Sequence, residues 1–157
     1  MAVYYDGPAA HAALFEELAR TCLEALEATH LDLSVTVCDD ATIQPLNLQW
    51  RGVEAATDVL SFPQLALQPE DTLPERTEDG PPMSLGDIVI SEQTALRQAN
   101  EMGHTLQREF AVLFAHGMCH LLGHTHKGKH EAQAMAALEE IILQDSDGLV
   151  ARSGVLQ

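Results

Sequence analysis

The chain has 157 residues, and 24 Asp and Glu against 8 Lys and Arg give a formal charge of −16. Apolar residues make up 46% and the mean hydropathy is −0.04, which fits one packed domain over 1–157 and excludes general disorder. So acidic a chain is not expected to bind nucleic acid, DNA included, or an anionic membrane through a broad basic face.

The longest unbroken apolar run, Phe110 to Ala115, is far short of the roughly 20 residues that cross a bilayer. The opening residues, MAVYYDGPAA, lack the basic and apolar regions of a secretion signal. The cysteines, Cys22, Cys38 and Cys119, are odd in number and without CxxC spacing. A reducing, cytoplasmic setting is expected, with no disulfide framework.

In chain order, a short apolar start (Val3, Tyr4, Tyr5) precedes residues 9–28, where Leu14, Leu18, Leu23 and Leu26 recur at helical period. Residues 31–38, LDLSVTVC, alternate at period two and predict a half-buried strand. Asp39 or Asp40 caps a short helix through Leu46 and Leu48, with Pro45 obscuring its start. Residues 58–62, DVLSF, predict a strand stopped by Pro63.

Residues 64–82 hold five acids and four prolines and predict a surface loop. A strand over 85–90, LGDIVI, leads to a helix capped by Ser91 and ended by Gly103. Thr105 caps a helix over 106–122, and a last helix runs from about His130 to Leu143. The expected fold is a small single α+β domain. A three- to four-stranded mixed sheet packs with about five helices, a metal site lies at the end of a core helix, and 146–157 form a flexible tail.

Net charge does not exclude a metal, because a bound cation reverses the sign of a local cleft. Six of the eight histidines fall between positions 104 and 130. The segment from His116 reads HGMCHLLGHTH. His116 and His120, four apart on a helix, place their Cβ atoms about 5–6 Å apart on one face. Two imidazoles so placed can reach one Zn²⁺. Gly123 lets the chain turn back through a positive φ, which brings His126 to the same ion. Three protein ligands leave a position open, as in catalytic zinc sites. Cys119, His124 and His130 are competing or fourth ligands, and His104 is left as a surface residue. The spacing also matches the metzincin protease pattern HExxHxxGxxH. Its general base is a Glu after the first His, and here that residue is Gly117.

Four blocks in order resemble the YbeY family of bacterial metal-dependent endoribonucleases. They are LNLQWRG (Leu46 to Gly52), TDVLSFP (Thr57 to Pro63), LGDIVIS (Leu85 to Ser91) and HGMCHLLGHTH (His116 to His126). The trailing HEAQAMAALEEIIL, His130 to Leu143, is similar to the family's C-terminal helix. One departure is His124-Thr125, where the family commonly has Tyr-Asp.

The resemblance implies a zinc-dependent, single-strand-specific endoribonuclease. It would act in 3′-end maturation of 16S rRNA and in ribosome quality control, with the small subunit or ribosomal proteins as partners. It implies Zn²⁺ on His116, His120 and His126, and a catalytic Arg51 beside His116. Asp58 is expected chiefly to cap or orient a turn after Thr57, and Asp87 to sit inside a strand beside Gly86; with His124, both are kept as secondary candidates for orienting a histidine ligand. Ser61 and Thr57 are weaker substrate contacts. The nucleophile is either water or the RNA 2′-hydroxyl, and end-group analysis of the products separates them. The charge of −16 predicts weak binding to naked RNA and delivery of the substrate by a partner. The alternatives are a non-catalytic ribosome-assembly factor with a structural metal and, third, a metzincin-like metallopeptidase.

Overall fold

The alternation in β2 (Leu31–Cys38) sets the layers. Leu31, Leu33, Val35 and Val37 are buried on one face and the residues between them are half-buried. In this computed structural model, which describes residues 2–69, 71–75, 80–124 and 129–152 and no side chains at 130, 131 and 144–152, β2 is one of two central strands. The sheet order is β1-β2-β4-β3. Strand β1 (Val3–Asp6) pairs parallel with β2, β2 pairs parallel with β4 (Met83–Ser91), and β3 (Val59–Pro63) runs antiparallel to β4. A four-stranded mixed sheet with five helices is therefore the α+β domain expected from the sequence.

The helices are α1 (Ala12–Ala25, after a 3-10 turn at Ala9–His11), α2 (Asp40–Arg51), α3 (Glu92–Met102), α4 (Leu106–Leu121) and α5 (Lys129–Arg152). Leu18 and Phe15 of α1, Phe110, Phe114 and Met118 of α4, and Met135 of α5 join β2, Ile88 and Ile90 in the main core. A smaller cluster of Ile43, Leu60 and Val89 forms where α2 packs. Neighbouring residues Ile88 and Val89 enter different clusters, so β4 is covered on both faces, as a central strand requires.

The helix ends follow the expected caps. Ser91 Oγ accepts from Thr94 N–H, Thr105 Oγ1 accepts from Arg108 N–H, and Gly103 closes α3 at φ 73°. Asp39, not Asp40, caps α2, accepting from Thr42 N–H at 2.8 Å. The helix runs through Pro45. Ala41 and Pro45 are both exposed, so water can take the Ala41 carbonyl that proline leaves without a donor. Helix α5 continues to Arg152, so the chain expected as a tail is helical as far as that residue, and 153–157 lie outside the described residues. The described parts of 64–82 carry no regular element before β4 begins at Met83.

Asp40 links the N-termini of α2 and α3. Its Oδ1 accepts from Ser91 Oγ and Thr94 Oγ1, both at 2.6 Å, and Oδ2 accepts from Arg97 at 2.8 Å. Those hydroxyl donors, with the Arg97 guanidinium, hold its carboxyl below the usual carboxylate range. A lowered folded pKa gives stability that is complete above the unfolded value and fades as pH falls toward the folded one. Asp40→Asn is therefore expected to cost about 1 kcal/mol at neutral pH. Denaturant melts of both proteins should converge as the pH is lowered; an undiminished gap at acid pH would refute the assignment.

Candidate functional site

Helix α4 is a core helix with one half-exposed stripe. Val112, His116 and His120 are only partly buried while the residues between them are nearly all buried. The four-residue spacing thus turns both imidazoles outward on one face. They open into a cleft of about 1020 Å³ whose lining includes Trp50 and Arg51 from α2, Asp58 and Phe62 around β3, Asp87 of β4, and His124.

The rings meet edge to face, 4.6 Å between centroids, with Nε2 to Nε2 at 3.0 Å. The far nitrogens decide what that approach means. His120 Nδ1 donates to the His124 carbonyl at 2.9 Å, and His116 Nδ1 donates to Glu139 Oε1 at 3.1 Å. In each neutral ring the proton is then on Nδ1, and the Nε2 lone pairs converge. Two lone pairs at 3.0 Å require a cation between or beside them, a proton or a metal ion. An ion bound by both nitrogens at about 2.0–2.1 Å is compatible with that separation, so the pair fits a zinc-type centre. The third expected ligand, His126, lies outside the described residues, as do Thr125 and the His130 side chain. Among the described residues no group of three His, Cys, Asp or Glu converges on one point.

Of the three candidate partners for the rings, His124 serves through its backbone, and Glu139 is an addition. Glu139, on α5, orients His116, and it is the backbone carbonyl of His124 that orients His120. The His124 ring lines the cleft, with its buried Nδ1 unpaired among the described residues. Asp58 lines the cleft too, but its carboxylate accepts from Val59 N–H at 2.7 Å, Thr57 Oγ1 at 3.4 Å and Gln98 Nε2 at 3.2 Å. Asp87 accepts from Gln64 Nε2 at 3.3 Å. Both acids thus shape the strand walls instead of gripping a histidine. Cys119 is not among the residues that line the cleft. It is fully buried, its Sγ faces the Met135 carbonyl on α5, and burial with the nearby Glu139 pushes its thiol pKa up. His104 is no plain surface residue, since its Nε2 meets the buried Glu109 carboxylate at 2.9 Å.

Two glycines make the approach possible. A Cβ on Gly117 would press on Ile88 at 3.1 Å and Ser61 Oγ at 3.2 Å, and Ser61 donates to the Gly117 carbonyl. The position where a metzincin carries its base is thus packed against the sheet. Gly123 turns the chain at φ 94°, and a Cβ there would collide with the Leu67 carbonyl. Arg51 is the last residue of α2, followed by Gly52 in the left-handed conformation. Buried Asn47 holds the following loop by donating to the Ala55 carbonyl at 2.8 Å. Among the described residues no carboxylate pairs with Arg51, which leaves its guanidinium available to the cleft.

The family model described as Endoribonuclease YbeY matches residues 7–147. The chain belongs to the YbeY family. An endoribonuclease YbeY of Pelotomaculum thermopropionicum is 46% identical over 130 residues, covering 80% of this chain and 82% of the relative. One from Symbiobacterium thermophilum is 45% identical over 136 residues, covering 84% and 85%. One from Myxococcus xanthus is 46% identical over 142 residues, where the match covers 90% of this chain but 45% of the relative. The solution structure of TM1509 from Thermotoga maritima superposes with a TM-score of 0.67 at 20% identity, covering 99% of this chain and 95% of that one. The two chains share one fold.

Glu139→Ala is expected to weaken binding of zinc about 10–100-fold, read by competition with a chromophoric chelator. Unchanged affinity would mean that Glu139 does not set the His116 ring. Gly117→Glu should lower stability by about 1–3 kcal/mol or more through overpacking and create no peptidase activity. A stable, proteolytic variant would reverse the reading of that position.

Proposed function

We propose that this chain is a metal-dependent endoribonuclease that cuts single-stranded RNA in the cleft between α2 and α4. The observation that carries the reading is the pair of Nε2 atoms 3.0 Å apart, each ring held by its other nitrogen, facing a cleft lined by Arg51. His116, His120 and His126 would hold the metal, with zinc as the ion best suited to three imidazoles. When bound, such an ion supplies Lewis acidity to a phosphoryl oxygen and to water.

The chain's own residues do the rest. Arg51 presents a planar fork of donors to the non-bridging oxygens of a phosphodiester and to charge that develops there in the transition state. Glu139 and the His124 carbonyl keep both rings in one tautomer and orientation. Gln98 and Gln64 hold the Asp58 and Asp87 carboxylates against the walls, so neither competes with the phosphate for Arg51. The family membership supports a role in rRNA processing. The substrate proposed is precursor 16S rRNA near its 3′ end, in maturation and quality control of the small subunit in the cytoplasm. Among the described residues no helix is long and apolar enough to cross a membrane. A charge of −16 supports delivery of the RNA by the ribosome or a ribosomal protein.

The test is elemental analysis of wild type and His120→Ala beside cleavage of a single-stranded RNA. Expected are about one zinc per wild-type chain and loss of both metal and cleavage in the variant. Arg51→Ala should keep the metal and lose cleavage by about 100-fold or more. Wild type without stoichiometric metal would overturn the metal site. Metal without cleavage, even with ribosomes added, would favour the structural-metal assembly factor.

A further inference from the structure

Trp50 is the chain's only tryptophan and is 62% exposed on the last turn of α2, immediately before Arg51. A large apolar ring in that position loses little by folding and can gain by covering something. Phe62 of β3 meets it edge to face at 5.7 Å between centroids and 73° between planes. Both rings line the same cleft as Arg51, His116 and His120. The arrangement props one ring with the other and leaves most of the indole exposed in the cleft that Arg51 also lines.

We infer that Trp50, braced by Phe62, is the platform on which an unpaired base of the RNA stacks while Arg51 takes its phosphate. The inference rests on the endoribonuclease reading above and adds to it how the strand is gripped. A chain with 8 Lys and Arg and 24 Asp and Glu cannot draw much affinity from phosphates. Stacking on an aromatic ring carries no net charge and tolerates any base. It also selects single strands, because a base inside a duplex has no free face to offer. Trp50 is thereby a positioning residue, setting the register of the phosphodiester at Arg51.

The lone tryptophan makes this directly readable. Short oligoadenylate should quench wild-type emission saturably, and an abasic ribose-phosphate oligomer of the same length should not. Trp50→Ala should raise KM for RNA cleavage about tenfold, with a smaller effect on kcat, and Trp50→Tyr should recover most of the loss. KM should depend only shallowly on salt, since few phosphates are neutralised. The exposure of Trp50 favours folding of both variants, and thermal melts check this. Wild type that cleaves RNA without any change in Trp50 emission at saturation would overturn the platform and leave the enzyme reading standing. So would Trp50→Ala with an unaltered KM. Wild type that neither binds nor cleaves RNA overturns both.

Discussion

The site depends on two imidazoles one helical turn apart on a helix that is otherwise committed to the core. A pair of half-buried rings with converging lone pairs is unfavourable by itself. It persists because each ring is anchored at its far nitrogen, one by a carboxylate from α5 and the other by a carbonyl just past the end of α4. Those anchors place demands on the rest of the fold. Helix α5 has to cross α4 at a height that sets Glu139 beside His116. Gly123 has to turn the chain tightly enough to return a carbonyl to His120. Gly117 has to let α4 settle onto Ile88 so that the stripe between its neighbours faces the cleft.

Much of this was legible because the signals are local. A histidine repeat at helical spacing, a glycine after the last turn, and the caps Ser91 and Thr105 each involve residues a few positions apart. What was misread is non-local. Glu139 lies 23 residues from His116, and nothing in its own surroundings marks it as the partner of a ring on another helix. Asp58 and Asp87, nearer in the motif blocks, are the secondary candidates for it, and Asp58 takes the turn-orienting place expected first. Their carboxylates are occupied by glutamines and by a backbone N–H. His104 illustrates the same gap, since the burial of Glu109 five residues on is a tertiary fact. Arg51 was reachable only through the resemblance, because an arginine among so many acids reads as half of an ion pair.

The acidic composition and the cleft are compatible once charge is considered locally. The carboxylates at the walls are tied to neutral amide donors, while Arg51 has no acidic partner among the described residues. Inside the cleft that guanidinium and whatever cation the histidines hold act at distances where salt screens little, together with the carboxylates of Asp58, Asp87 and the His116 partner Glu139. The net charge of −16 acts chiefly on how the protein approaches other polyanions.

The sheet has another consequence. Its two inner strands have eight and nine residues, whereas the outer ones have four and five. Short outer strands offer few open backbone groups to a second molecule, and β3 closes with Pro63, which has no N–H to give. The long apolar stretches most able to zip into intermolecular ribbons are shut inside. Together with mutual repulsion between highly anionic copies, this protects the protein from self-association through its strands at high concentration.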